Sequence, residues 1–236
     1  MDIIKRNFLR LLRAAIFDKR EPLEPMSAWK WNQLYKMTNR HHVEPWIDEG
    51  IGKYQGDFFL PRSSEQTRFQ LISADVSDED TDTGLPELSN PILSQRLEQL
   101  RQEHGTSDAT FELLTRLLNM ACHIFQKGLS LRQIILLGTY LHTTKDPLDY
   151  EVLNSWLRQL RMVRTAQLAG SLLAELLGMD DEEIAFTDVR HTKRTHQIAD
   201  ELLDSDSTHR YVRYFPEEAL THFTANIVQN LKDIEE

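Results

Sequence analysis

A single cysteine, Cys122, among 236 residues excludes an internal disulfide and leaves no thiolate cluster for zinc. It falls in an apolar helical stretch, where an inert buried thiol is expected. Glycine (9) and proline (8) are sparse, which disfavours many short strands joined by tight turns and suits helices. No run of about 18 apolar residues exists, so no membrane span is predicted. Positive charge is also short: 27 Lys and Arg stand against 37 Asp and Glu, a formal charge of −10. A field of that sign repels phosphate backbones and disfavours general nucleic-acid binding. With 40% hydrophobic and 27% charged residues, the composition is still that of a folded protein, long enough for one large or two small domains.

The opening stretch MDIIKRNFLRLLRAAIF resembles a secretory signal, but Arg10 and Arg13 interrupt its apolar core and no small-residue cleavage site follows. A cytoplasmic protein is therefore expected. Ile4, Phe8, Leu11, Leu12 and Ala15 form one face of a helix, with Lys5, Arg6, Arg10 and Arg13 outside it. Such a basic helix can lie on a membrane surface, but a packed first helix is the preferred reading.

Ser27 is a good N-cap for a second helix through Trp31, Leu34, Tyr35 and Thr38. The segment 40–46 breaks it, and a short helix follows over 46–49. From 51 to 89 the pattern weakens into an irregular acidic connection, with room for one short helix near 66–73. Asn90-Pro91 restarts regular structure, with Ile92, Gln95, Leu97 and Leu100 on a helix that ends near Gly105. Asp108 opens a strong helix with a stripe of Phe111, Leu114, Leu118, Ala121 and Phe125. Residues 131–141 are apolar nearly all round, as in the middle of a bundle. Asp149 caps the next helix, with Leu153, Trp156, Leu157 and Leu160 inward. Another runs over 163–177, its Ala166, Ala169 and Gly170 permitting close approach and Gly178 ending it. Two more are expected over 193–203 and 216–234. The fold class is all-α: an irregular multi-helix bundle in which 1–50 and 90–236 form one compact domain, joined by the acidic connection.

No complete catalytic site is visible. Asp78 and Asp80 imitate an Asp-x-Asp pair that holds magnesium, but polar Thr81, Asp82, Thr83 and Gly84 follow where a supporting strand is needed. As a calcium loop, the run has Thr83 where glycine is required and Ser89 in place of the closing glutamate. A solvated acidic loop is the simpler reading. Among nine histidines none pairs at metal-ligand helical spacing: His191 and His196 are five apart, and His41 and His42 are adjacent. His123, beside apolar neighbours, reads as a hydrogen-bonded structural residue. Arg158, Arg161 and Arg164 form a basic stripe at helical spacing, suited to a phosphate, an acidic partner or plain solvent. No motif for a bound cofactor or nucleotide phosphate is present.

Two blocks resemble a broad family of uncharacterised bacterial nucleotidyltransferase-like proteins common among Bacteroidetes. The first is residues 8–17 with Trp31, Leu34 and His42-Val43-Glu44-Pro45, similar to that family's helical lead-in, where a Trp-containing helix runs into a His-Gly-Val-x-Pro turn. Glycine is missing from that turn here. The second is residues 123–133 with Asp149-Tyr150-Glu151, similar to the helical tail with its Gly-x-x-Leu-Arg-Gln run. The blocks cover roughly half the chain, and neither is a catalytic signature. In the family an α/β core with paired metal-binding aspartates lies between them. Here the helix ending at Gly105 passes almost directly to the Asp108 helix, leaving no room for that core. An aspartate that follows the Leu-Arg-Gln run in the family looks replaced by Leu136. The resemblance thus implies a helical relative without the enzyme: a non-catalytic interaction or regulatory module, with a protein partner or a second copy on its surface. The alternatives are a divergent nucleotidyltransferase using magnesium at Asp78 and Asp80, and a small-ligand regulator with His123 and Arg132 lining its pocket.

Overall fold

The computed structural model describes residues 1–57, 59–60, 88, 90–104, 108–187 and 193–204. Among them are nine α-helices and one π-helical turn, and no strand. They are α1 (Ile3–Phe17), α2 (Ala28–His41), α3 (Glu44–Lys53), α4 (Pro91–His104), α5 (Ala109–Lys127), α6 (Leu131–Thr143), α7 (Tyr150–Gln159), α8 (Val163–Leu172), the π turn (Leu173–Leu177) and α9 (Lys193–Asp204). Most of the acidic connection, the region after Asp204 and the helix expected over 216–234 lie outside the described residues.

The helix starts follow from side-chain chemistry. Asp2, Ser27, Asp108 and Asp149 each accept a hydrogen bond from a backbone N–H in the first turn, and Asn90 does the same for Ile92. Each satisfies a donor that the helix itself leaves open.

α1 is the centre of the bundle. It packs against α2, α3, α6 and the π turn, and buries Lys5, Asn7, Phe8, Leu9, Leu11, Leu12, Ala14 and Phe17. The single apolar stripe expected is therefore too narrow, and Ile4 and Ala15 are only half-buried. Lys5, expected outside, turns inward because α9 brings carboxylates to it: Nζ lies 2.7 Å from Asp204 Oδ2 and 3.1 Å from Asp200 Oδ1. The other cations of α1 are met by the segment that follows it. Glu24 binds Arg6 and Arg10, and Glu21 binds Arg13 and Arg10. The basic face of α1 is matched from within the molecule.

α3 runs from Glu44 through Lys53, longer at both ends than the helix expected over 46–49. Gly50 is a contact residue of α3: a Cβ on it would run into the Leu11 carbonyl oxygen of α1. In α4 the inward face is Leu93, Leu97 and Leu100, and Ile92 points to solvent. Ile92 is five residues from Leu97, about 140° round the helix, so both cannot face the core. The stripe of α5 is wider than expected, adding Leu113, Leu117, Met120 and Ile124; the side chain of Phe125 lies outside the described residues. α6 sits centrally, as its apolar sequence predicts, and Leu153, Trp156, Leu157 and Leu160 are buried on and after α7.

The helix expected over 163–177 changes pitch in its last five residues, which form the π turn. At that end the Leu176 carbonyl accepts from Arg13 Nε at 3.3 Å, and Gly178 closes the turn at φ +65°. Gly170 packs where a Cβ would meet the Thr187 methyl at 2.4 Å. One continuous hydrophobic cluster runs from Phe8 in α1 to Leu203 in α9.

Candidate functional site

The elbow between α2 and α3 gathers the most unusual side chains. α2 ends with His42 in the left-handed conformation (φ +52°, ψ +49°), and the His42 and Val43 N–H groups bond back to the carbonyls of Asn39 and Thr38. This is the geometry glycine adopts most readily at a helix end, and here His42 takes that backbone role. α3 begins at once, with Glu44 and Pro45 in its first turn. An acidic side chain and a proline are both favourable there.

Arg132, the second residue of α6, reaches this elbow. It is 7% exposed, donates Nη1 to the His42 carbonyl at 2.8 Å, and lies 5.6 Å from the centre of the Trp46 ring. A guanidinium over an indole face at that distance is within cation–π range. The residue therefore closes the carbonyl end of α2 while packing against α3. In the same contact, the segments 42–46 and 131–132 meet.

Two further groups at the elbow are held away from their ordinary protonation range. Asp48 lies one turn after Glu44 on α3. Burial first, and then the Glu44 charge, push its carboxyl up to about 6. Glu44 is buried, and its Oε2 has no hydrogen-bond partner among the described residues. His41 is pushed down to about 4, by burial first and then by the charge of Arg40. Its ring stands 6.4 Å from that of Phe8, and its Nε2 is buried without a partner among the described residues. A neutral imidazole is what such a setting selects. Sequence reasoning passed over Glu44 and Asp48. Their i, i+4 spacing was visible, but the burial that makes them unusual was not.

His123 and Arg132, paired in sequence reasoning as the lining of a ligand pocket, each engage the protein's own main chain. The His123 ring nitrogen Nδ1 is 3.1 Å from the Gly128 carbonyl, at the turn between α5 and α6. That contact agrees with a hydrogen-bonded structural histidine. Cys122, half-buried next to it, has its thiol pushed up to about 12 by burial. Asp78 and Asp80 lie outside the described residues. A pair that sequence reasoning missed joins the π turn to α9: His196 Nδ1 lies 2.7 Å from Glu175 Oε1. The two are 21 residues apart on separate elements, so no local pattern could mark them.

Chemically, the elbow offers one carboxyl able to exchange a proton near neutral pH. No group of three or more His, Cys, Asp or Glu among the described residues could hold a metal ion, and none of the described helices is long and apolar enough to cross a membrane. No family model, curated protein or solved structure matches this chain.

Proposed function

We propose that this chain is a non-catalytic helical protein, related to the nucleotidyltransferase-like proteins it resembles, and that it works as a protein-interaction or regulatory module. The observation that carries this reading is the hydrogen bond from Arg132 to the His42 carbonyl. It pins together the two helical blocks between which the family places its catalytic sheet. Helical flanks that pack directly on each other are what a relative without that core is expected to have. The interaction half of the reading is supported by Trp29, which is 64% exposed on α2 while Trp31, two residues on, is buried. A solvent-facing indole is the kind of anchor that dominates protein interfaces.

Size-exclusion chromatography with light scattering is expected to show a dimer or a stable complex, weakened about tenfold by Trp29→Ser, the scale of an interfacial aromatic anchor. A strictly monomeric protein with no partner would overturn the proposal. Incubation with magnesium and labelled nucleoside triphosphates is expected to transfer no nucleotide. Transfer that disappears in Asp78→Asn or Asp80→Asn protein would instead make this chain an enzyme.

A further inference from the structure

From Val152 to Ala174 the chain carries no acidic residue and three arginines, Arg158, Arg161 and Arg164. Their helical spacing suggests one stripe, yet the structure distributes them round a corner. Arg158 lies in the last turn of α7, Arg161 sits in the connecting turn at φ +53°, and Arg164 is the second residue of α8. All three are exposed. A fourth arginine is anchored beside them: Arg96 of α4 donates Nη1 to the Gln159 carbonyl at 2.9 Å. Glu98, its near neighbour on α4, is already engaged by Arg101 at 2.6 Å. Four guanidinium groups therefore gather on one corner of a protein whose formal charge is −10.

The same corner bears apolar surface. Ile92 is 62% exposed one turn before Arg96, on the same side of α4, and Val163 is 42% exposed at the first position of α8. The start of α8 has no side-chain cap and no acidic residue in its first turn, so its open N–H groups add to the positive end. In that turn Thr165 is buried, with a hydroxyl that has no hydrogen-bond partner among the described residues. Arg161 ends α7 in the left-handed conformation, its N–H and that of Met162 bonding back to the Arg158 and Leu157 carbonyls, which turns its side chain out at the corner.

We propose that this corner is the docking surface for an acidic segment of a partner protein, one whose carboxylates are interspersed with apolar side chains. The carboxylates meet Arg96, Arg158, Arg161 and the open end of α8, and the apolar side chains cover Ile92 and Val163. The inference rests on the interaction-module reading and deepens it by naming a surface besides that of Trp29 and the chemistry of the partner it takes. Charge complementarity selects a short protein segment over a nucleic acid. At physiological salt attraction extends only about 8 Å, so a long polyanion would run off the corner onto the acidic remainder of the surface. A phosphodiester chain would also leave Ile92 and Val163 uncovered.

The test uses a fluorescein-labelled peptide of repeating Asp-Glu-Leu, titrated with the full chain and followed by anisotropy. Saturable binding that weakens with added salt is expected, with a loss of at least tenfold in the Arg158→Glu, Arg161→Glu protein. Arg161→Gly, which suits the observed φ, serves as a second variant that keeps the turn, and a three- to fivefold loss is expected for it and for Ile92→Ser. Circular dichroism should be unchanged in all three, because the replaced side chains face solvent. The proposal is overturned by an absence of binding, by equal binding to the double-reversal protein, or by equal binding to single-stranded DNA of matched charge. A dimer or native complex that forms undiminished in the double-reversal protein would remove this surface while leaving the interaction-module reading in place.

Discussion

Burial acts on Asp48 and His41 with opposite consequences for stability. The carboxyl of Asp48 is raised from an ordinary 3.8 to about 6, so between those values the folded chain holds a proton that the unfolded chain has lost. Its contribution to stability is present below about 4 and is lost as pH rises through 6. His41 is lowered from 6.5 to about 4, so its contribution is present above 6.5 and is lost as pH falls through 4. Over roughly pH 4 to 6 the two slopes offset each other. Asp48→Asn removes one of them. Thermal melts of that variant should show higher stability than the parent at pH 7.5, and a steeper decline from pH 6.5 toward 4. Two parallel profiles would refute the assignment. Cys122 offers a second check at this scale. A thiol held near 12 is almost entirely protonated at pH 8, so a disulfide reagent should label it about 100-fold more slowly in the native protein than in denaturant.

Between elements, the decisive contact is α1 against α3. Gly50→Ala would place a methyl on the Leu11 backbone carbonyl, which cannot move without shifting α1. A loss of about 2–3 kcal/mol is expected in chemical denaturation. Gly138→Ala meets the ends of the Leu177 and Leu173 side chains instead, at 2.5 and 3.2 Å. Those can turn aside, so the cost should be clearly smaller. Equal losses would mean that α1 and α3 can separate easily. This contact also shows where sequence reading stopped. Helix starts at Ser27, Asn90, Asp108 and Asp149 were legible because an N-cap is local chemistry. The role of Gly50 was not legible, because close packing at a glycine can be read only when the partner helix is known. Lys5 looked like a surface cation because its carboxylates lie at Asp200 and Asp204. The π turn had no local marker, since its Leu176 carbonyl is met by Arg13 from another helix. At the candidate elbow, Arg132 and His42 were each visible as residues, but their contact joins positions 90 apart in the chain.

For the molecule as a whole, the central fact is that its first helix is finished by its last described one. Lys5 is 8% exposed, and its two carboxylate partners remain largely solvated. Removing the aspartates and removing the lysine should therefore differ. Asp200→Asn with Asp204→Asn leaves a buried ammonium with weakened partners, and a loss of about 2–4 kcal/mol is expected. Lys5→Met returns two aspartates to water and fills the site with an apolar chain of similar length, so it should change stability by no more than about 1 kcal/mol. Urea denaturation of both proteins decides this, and the reverse ordering would show that Lys5 is not truly desolvated. The sequence separation between Lys5 and Asp200 is 195 residues. At a translation rate of about 5–20 residues per second, a nascent chain would wait roughly 10–40 s for that pairing. Throughout that interval Lys5 lacks its final partners, whereas Arg6, Arg10 and Arg13 meet Glu21 and Glu24 of the segment that follows α1. The growing polypeptide therefore carries at Lys5 an adhesive spot that the folded protein conceals.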